Sequence, residues 1–148
     1  MDDVDLKIIQ ILQENARETI KQIGLNVGLT SPSVSARISQ IEEEGIITGY
    51  HAAIDYHKIG KTMEVFIKAD INPVRLKDFY VFCQSQAAII AHYRLIGLDS
   101  DLLHVVIEGT KELETLILAI NQFGTTNTSA VLSVPFRRKS VEMKPKDS

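Results

Sequence analysis

Residues 19–45 read TIKQIGLNVGLTSPSVSARISQIEEEG and contain the pattern that decides the fold of the first part of the chain. Thr19 and Gln22 have the spacing of a capping box, which predicts a helix that begins there and ends at Gly28. A four-residue connector leads to the next helix, whose first turn tolerates Pro32 because an N–H at that position has no helical partner. Two helices joined by a short turn that contains glycine have the outline of a helix-turn-helix.

Apolar residues recur at helical spacing on both sides of this turn. Val4, Ile8 and Leu12 indicate a preceding helix with one buried face. A unit of three helices is small for an independent core, so we expect it to lean on the strand after it or on a second subunit. The residues expected in its interior are Val4, Ile8, Ile11, Leu12, Ile20, Ile23, Val27, Val34, Ile38 and Ile41.

The last of the three helices has outward residues of the types that read DNA. Arginine binds guanine or phosphate, glutamine pairs with adenine, and serine bonds to either base. The same spacing also fits a plain three-helix packing module whose arginine and glutamine contact only solvent. The residues predicted to contact DNA are Thr30, Ser31, Ser33, Ser35, Ala36, Arg37 and Gln40.

Charge does not favour DNA binding by this module. Residues 1–60 carry five basic and nine acidic side chains, a net charge of −4. Few phosphates would be neutralised by each subunit, so a single copy should bind DNA weakly. Assembly into dimers or larger oligomers would then be needed for useful affinity.

Beyond Gly60 the pattern changes to alternating strands and helices. The order is β-α-β-β-α-β, which is the ferredoxin-like arrangement, so the predicted fold class is α+β. The predicted domains are a helix-turn-helix domain at 1–50, a strand or linker at 51–61, a ferredoxin-like domain at 62–140 and a polar, frayed tail at 141–148. Strands are expected at 46–55, 62–71, 89–98, 102–107 and 128–136, and helices after Pro73 and at 111–123.

The composition excludes several classes of protein. The chain has 148 residues, of which 45% are apolar, a net charge of −3 and a single cysteine, Cys83. It has no run of about 18 apolar residues that would span a membrane, and its acidic N-terminus is unlike a secretory signal. The lone cysteine and the scattered histidines form no metal-ligand or catalytic spacing. We therefore expect a cytoplasmic protein that is not an enzyme and has no metal and no cofactor.

Several segments resemble the Lrp/AsnC family, the feast/famine transcriptional regulators. The resemblance is nearly collinear over residues 2–139, and the segments that carry it are DLKII at 5–9, NAR at 15–17, VGLT at 27–30, RI at 37–38 and IEEEGIITGY at 41–50. It implies an N-terminal winged helix-turn-helix of three helices, a strand linker, and a C-terminal ferredoxin-like domain for effector binding and oligomerisation. It also implies homodimers that assemble into tetramers or octamers, and an effector, often an amino acid, that changes assembly or DNA affinity.

The family has a Gly-Asp-x-Asp-like segment between the middle strands, where this chain reads GLDSD at 97–101. Leu98 and Ser100 occupy the usual acidic positions, and the carboxylates of Asp99 and Asp101 follow one place later. A carboxylate there would suit the ammonium group of an amino acid, although aspartate is also a common turn former in solvated turns. The effector site implied by the resemblance consists of Gly97, Leu98, Asp99, Ser100, Asp101, Thr126 and Thr128.

The sequence departs from the family at one further position, and it leaves two alternative hypotheses open. Gly24 replaces the family's usual alanine, at a cost of about 0.5–1 kcal/mol of helix stability.

The basic cluster 137–139, with Lys144 and Lys146, fits either a solvated tail or a second DNA-contacting patch, and the patch would suit an architectural DNA-wrapping protein with little effector response. A third hypothesis is a small-molecule sensor or enzyme whose helical module no longer binds DNA. The regulator hypothesis predicts that Arg37→Ala abolishes operator binding.

Overall fold

The computed structural model describes residues 1–143, which form two compact units. The helical unit is Met1–Ala52 together with the described part of the C-terminal segment that begins at Phe136. The sheet unit is Ala53–Pro135. The chain therefore passes from one unit to the other twice, once after Ala52 and once after Pro135.

The helical unit contains the three predicted helices, α1 (Asp3–Glu14), α2 (Ile20–Val27) and α3 (Ser31–Glu43). Thr19 caps α2 by accepting a hydrogen bond from the Gln22 N–H, which is one half of the predicted capping box; the Gln22 side chain bonds to Asn26 and not back to Thr19. The apolar stripes of all three helices meet in one core, which confirms the helix-turn-helix part of the fold. The buried residues of this core are Ile8, Ile9, Leu12, Ile23, Val34 and Ile41.

An ion-pair cluster holds α3 against the start of α1. Asp2 and Asp5 cap each other's backbone N–H groups in a reciprocal capping box. One guanidinium nitrogen of Arg37 donates to both carboxylates, at 2.8 Å to Asp2 and 2.6 Å to Asp5. The Asp5 N–H first, and the Arg37 guanidinium second, hold the pKa of the Asp2 carboxyl below its ordinary value. The N-terminus of α1, where negative charge is favoured, thus becomes a binding site for the cation of α3.

Gly24 allows the turn between α2 and α3 to close tightly. A Cβ at this position would lie 2.5 Å from the carbonyl oxygen of Leu29, closer than any real side chain tolerates. The same turn is bonded back onto the helix, because the Leu29 N–H donates to the Gly24 carbonyl at 2.9 Å. Gly24 therefore lowers the intrinsic stability of the helix but allows the backbone of Leu29 to approach closely.

The expected strand at 46–55 is wrong, because no residue in that range belongs to a strand. A strand requires a neighbouring strand for its N–H and C=O groups, and these residues find none within the described part of the chain. Tyr50 instead donates its hydroxyl to the Glu42 carboxylate at 2.8 Å. Burial first, and then this carboxylate, raise the pKa of Tyr50 to about 12, so the phenol remains a donor.

The sheet unit contains four antiparallel strands in the order β2-β3-β1-β4, as the ferredoxin-like prediction requires. Both of its helices pack against one face of the sheet, and the apolar residues of that face form the core. The elements are β1 (Met63–Ile71), α4 (Leu76–Ser85), β2 (Ile89–Arg94), β3 (Asp101–Ile107), α5 (Thr110–Ile120) and β4 (Gly124–Ala130).

The last strand begins earlier than predicted, at Gly124 instead of residue 128. Gly124 lies so close to β1 that a Cβ would lie 2.0 Å from the Asp70 carbonyl oxygen, and this contact sets the register of β4. The predicted strand also extends into residues 131–136, which belong to no strand, and Leu132 there is completely exposed. The observed strand consists of the short residues GTTNTSA at the edge of the sheet.

The C-terminal segment is also placed differently from the prediction. Residues 136–140 were assigned to the ferredoxin-like domain and 141–148 to a frayed tail, but the structure places the described residues 136–143 in the helical unit. The backbone of Val141 exchanges two hydrogen bonds with the side-chain amide of Gln13, and Met143 packs against the helical core. Lys144 and Lys146 lie outside the described residues.

We expect Gly24→Val to lower the free energy of unfolding by about 2 kcal/mol, because the new Cβ must displace backbone and overpacking typically costs 1–3 kcal/mol. The measurement is urea denaturation followed by circular dichroism. Asn26→Val is the matched control, since it places the same side chain on the exposed side of α2 and should change stability by only about 0.5 kcal/mol. Equal stability of the two variants would contradict the close approach at Gly24.

We expect Arg37→Ala to raise the pKa of the Asp2 carboxyl towards its ordinary value, because the guanidinium that favours the charged carboxylate is removed. The shift is measured by NMR titration of the Asp2 side chain. Since the Asp2 pKa is lowered in the folded chain, its stabilising contribution is present above the ordinary value and is lost as the pH falls through the lowered one. Arg17→Ala is the control, and a titration of Asp2 that is identical in all three proteins would argue against the cluster.

Candidate nucleic-acid interface and effector site

The exposed side of α3 lies opposite its buried stripe; up to Gln40 it carries uncharged polar and small side chains, and Glu42 and Glu43 follow in the last turn. Thr30 and Ser33 are linked through their hydroxyl groups at 2.9 Å, and Gln40 donates to Glu44 at 2.8 Å. The uncharged residues predicted to contact DNA are all exposed, and they are Thr30, Ser31, Ser33, Ser35, Ala36 and Gln40.

Ser39 is a further exposed residue of this surface that the sequence analysis missed. It follows Ala36 by three residues, so helical periodicity places the two side chains on the same side of α3. The signal was therefore present in the sequence, because the buried residues Val34 and Ile41 define the opposite side. The exposed surface of α3 is continuous from the first turn to Gln40.

The expectation that Arg37 faces outward is wrong. Its side chain is half-buried, and its guanidinium is bonded to Asp2 and Asp5, which precede it by 35 and 32 residues. In the helical pattern Arg37 follows Val34 by three residues, which places it beside the buried stripe. Without knowledge of the partner carboxylates, an arginine beside that stripe resembles a base-reading residue. In the structure it positions α3 on α1.

The predicted effector residues between β2 and β3 are divided between the two sides of the sheet. Asp99 lies 3.9 Å from the Lys68 ammonium, on the side that α4 and α5 leave open. Leu98, next to it at the tip of the turn, is almost fully exposed. Gly97 belongs to the same exposed tip.

Asp101 is completely buried on the helix-covered side. One carboxylate oxygen lies 2.6 Å from the Nε2 atom of His92, and the other is bonded to the Ser100 hydroxyl. That hydroxyl also accepts a hydrogen bond from the Ile71 N–H at 3.1 Å, so the turn is tied to β1. Asp99 and Asp101 therefore lie on different sides of the sheet, because Asp99 belongs to the turn and Asp101 is the first residue of β3. Asp101 has a structural role in this chain.

The two predicted threonines lie on β4, on the same side of the sheet as Asp101. Thr126 pairs with Ala69 and Thr128 with Ile67, two buried residues of β1. The Thr126 hydroxyl donates to the Asn121 side chain at 2.9 Å. The structure thus brings Thr126 and Thr128 together, but it does not bring them together with Asp99.

The described residues offer little for catalysis or metal binding. Cys83 is buried, and burial first, with the Asp101 carboxylate second, raises the pKa of its thiol to about 12. A thiol that stays protonated is a poor nucleophile. Within residues 1–143 no group of three or more His, Cys, Asp or Glu side chains is arranged to hold a metal ion. No helix in that range is long and apolar enough to cross a membrane.

Comparison with known proteins points to one family. The sequence model of the AsnC-type helix-turn-helix domain matches residues 1–42. Over 133 residues the chain is 38% identical to the HTH-type transcriptional regulator YezC of Bacillus subtilis, which covers 90% of this chain and 94% of that protein. Over 133 residues it is also 27% identical to the regulator LrpC of Bacillus subtilis, across 90% of this chain and 92% of that one.

Solved structures agree with the sequence comparison. The structure of LrpC from Bacillus subtilis has a TM-score of 0.84 and 26% identity, over 97% of this chain and 99% of that chain. A complex of the transcriptional regulator NMB0573 with L-Met from Neisseria meningitidis has a TM-score of 0.89 and 23% identity, over 96% of each chain, and shares the fold. With a relative 38% identical along nearly its whole length, and with the matching helix-turn-helix, the chain belongs to the Lrp/AsnC family of transcriptional regulators.

Proposed function

We propose that this regulator reads duplex DNA with the exposed surface of α3, and that an amino acid changes its assembly or its DNA affinity. The family consists of DNA-binding helix-turn-helix regulators and not of enzymes. The observation that carries the proposal is the surface from Thr30 to Gln40, which is exposed, continuous and free of bulky side chains. We also infer a cytoplasmic location, where such a regulator meets its DNA.

The chemistry of the α3 surface suits base reading. Small side chains such as Ser35 and Ala36 let the helix approach the base edges closely. The Gln40 amide and the serine hydroxyls supply both donors and acceptors for the major groove. Arg37 supports this surface indirectly, since its bonds to Asp2 and Asp5 fix the angle between α1 and α3.

The turn between β2 and β3 supports an amino-acid effector. Asp99 offers a carboxylate for the ammonium group of the ligand. Ile96 and Leu98 flank Gly97 and are almost fully exposed, so they offer apolar contacts for an aliphatic or thioether side chain. The neighbouring structure from Neisseria meningitidis is a complex with L-Met, which makes methionine a natural first ligand to test here.

The open face of the sheet supports a homodimer. α4 and α5 cover one face, and strand alternation puts Phe66, Leu102 and Val106 on the other. On that face Phe66 stacks on His104 with ring centroids 4.6 Å apart, and His104 Nε2 lies 2.6 Å from the Glu64 carboxylate. A sheet with two partly apolar faces needs a second layer. We propose that a second copy supplies it, and that dimers assemble further into tetramers or octamers.

We expect Ala36→Glu to weaken DNA binding at least about tenfold, or about 1.4 kcal/mol. The new carboxylate would face the phosphates from the centre of the α3 surface, where like charges repel. The affinity is measured by fluorescence anisotropy with a duplex selected by the unchanged protein from a randomised pool.

Thr115→Glu is the matched control for Ala36→Glu. It adds the same charge to an exposed helical position of α5, in the sheet unit. The control should bind the duplex as the unchanged protein does. If Ala36→Glu bound equally well, α3 would not be the reading helix.

We expect one of the twenty amino acids to raise the melting temperature of the protein in a thermal-shift screen. A ligand that binds only the folded chain adds about 2.7 kcal/mol at 100 times its Kd. Sedimentation velocity with and without that amino acid then shows whether the oligomer changes.

Asp99→Asn should abolish the thermal shift, because it removes the negative charge that anchors the ammonium group. Asp78→Asn is the control, since it removes a carboxylate from the exposed side of α4. Absence of a shift with every amino acid would sink the effector proposal, and a shift that survives Asp99→Asn would move the site away from this turn.

A further inference from the structure

The N-terminal part of the helical unit, residues 1–52, has little of the positive charge that favours DNA binding. Residues 1–52 carry four basic and eight acidic side chains, a net charge of −4. The cation on α3, Arg37, is occupied by Asp2 and Asp5. Most of the affinity of a protein for duplex DNA comes from neutralised phosphates. The three helices offer only two further exposed cations, Lys7 on α1 and Lys21 on α2, so cations from another segment would add substantially to the affinity.

The C-terminal segment brings such cations to this unit. Residues 136–143 read FRRKSVEM and carry three basic side chains and one acidic one, a net charge of +2. The Lys139 ammonium lies over the Phe136 ring at 4.8 Å, and Arg138 is exposed. The segment is thus the most basic stretch of the described chain that belongs to the helical unit.

The segment is fastened to α1 at a defined position. The Gln13 side-chain amide donates to the Val141 carbonyl at 3.2 Å, and its oxygen accepts from the Val141 N–H at 2.8 Å. Two residues further on, Met143 packs against the same apolar core as the three helices. A segment that is held in this way loses less conformational entropy on binding than a free tail.

We propose that residues 136–143 form a basic arm of the helical unit that contacts the phosphodiester backbone of duplex DNA. Arg138 and Lys139 supply the charge, and Gln13 and Met143 hold the arm in place. The arm adds affinity without sequence preference, because phosphate contacts position a protein on DNA but do not read bases. The inference rests on DNA binding by this regulator, and it adds a second contact surface to that of α3.

The test compares two double variants that remove the same charge. Arg138→Ala/Lys139→Ala removes two cations from the arm, and Lys77→Ala/Lys111→Ala removes two exposed cations from the sheet unit. The affinity of the full chain for a short labelled duplex of mixed sequence is measured by anisotropy over a range of salt concentrations. We expect the arm variant to bind at least about tenfold more weakly and to lower the slope of log K against log salt by about 1.8, that is about 0.9 for each phosphate that is no longer neutralised.

A second pair of variants tests the attachment of the arm. Gln13→Ala removes the amide that holds Val141 and should lower the salt slope although every cation is still present. Gln10→Ala is the matched control, because that side chain bonds to Glu14 on the same helix and does not touch the arm. The slope of the control should remain unchanged.

The possible outcomes distinguish failure of the arm proposal from failure of the proposed function. If the unchanged protein binds the duplex and the arm variant has the same affinity and salt slope, the arm proposal is overturned while DNA reading by α3 stands. An equal loss of affinity in the arm variant and in the sheet-unit control would show a general effect of net charge, and it would also overturn the arm proposal. If the unchanged protein binds no DNA at low salt, both proposals fail together.

Discussion

The contact of Arg37 with Asp2 and Asp5 determines how the helical unit can work. It joins two helices whose residues lie more than 30 positions apart, and it does so through charges that would otherwise be free to act on a ligand. The Arg37 guanidinium compensates the charge of the two carboxylates, and the carboxylates interact favourably with the N-terminus of α1. The contact therefore stabilises α1 and orients α3 at the same time. Because its guanidinium is held by the two carboxylates, Arg37 contributes little free charge to the exposed side of α3, whose residues up to Gln40 are neutral hydrogen-bonding groups.

The sheet unit has a comparable contact at the turn between β2 and β3. Asp101 is buried with His92 and Ser100, and this network ties the start of β3 to β1. Loss of one partner would leave a buried polar group without its hydrogen bond, at a cost of about 1–3 kcal/mol. The exposed tip of the turn, with Asp99 and Leu98, thereby rests on a rigid base. In both units a charged residue that the sequence assigns to a binding site, Arg37 in one and Asp101 in the other, supports the surface beside it.

Much of the fold could be predicted because it follows from local patterns. Helical spacing identified Ile8, Val34 and Ile41 as core residues, and the order of elements after Gly60 identified the ferredoxin-like sheet. The errors concern contacts between residues that are distant in the chain. The partners of Arg37 lie in another helix, and the position of β4 depends on the close approach of Gly124 to Asp70.

The candidate sites were harder to predict for the same reason. The exposed residues of α3 follow from the buried stripe of one helix, so six of the seven predicted positions are exposed. The effector residues, by contrast, depend on which side of a sheet each side chain takes, and no short-range pattern states that Asp99 and Asp101 diverge. The attachment of residues 136–143 to α1 left no recognisable signal, because the apolar residues Phe136, Val141 and Met143 follow no helical or strand periodicity.

The return of the C-terminal segment to the helical unit has a consequence for the order of folding. During synthesis α1, α2 and α3 emerge first, but the residue that completes their core, Met143, emerges only after the whole sheet unit. Domains usually fold as units in the order in which they are made. In this chain the sheet unit lies between the two parts of the helical one. The packing of Met143 and the hydrogen bonds of Val141 can therefore be added to the helical unit only after the sheet unit has been synthesised.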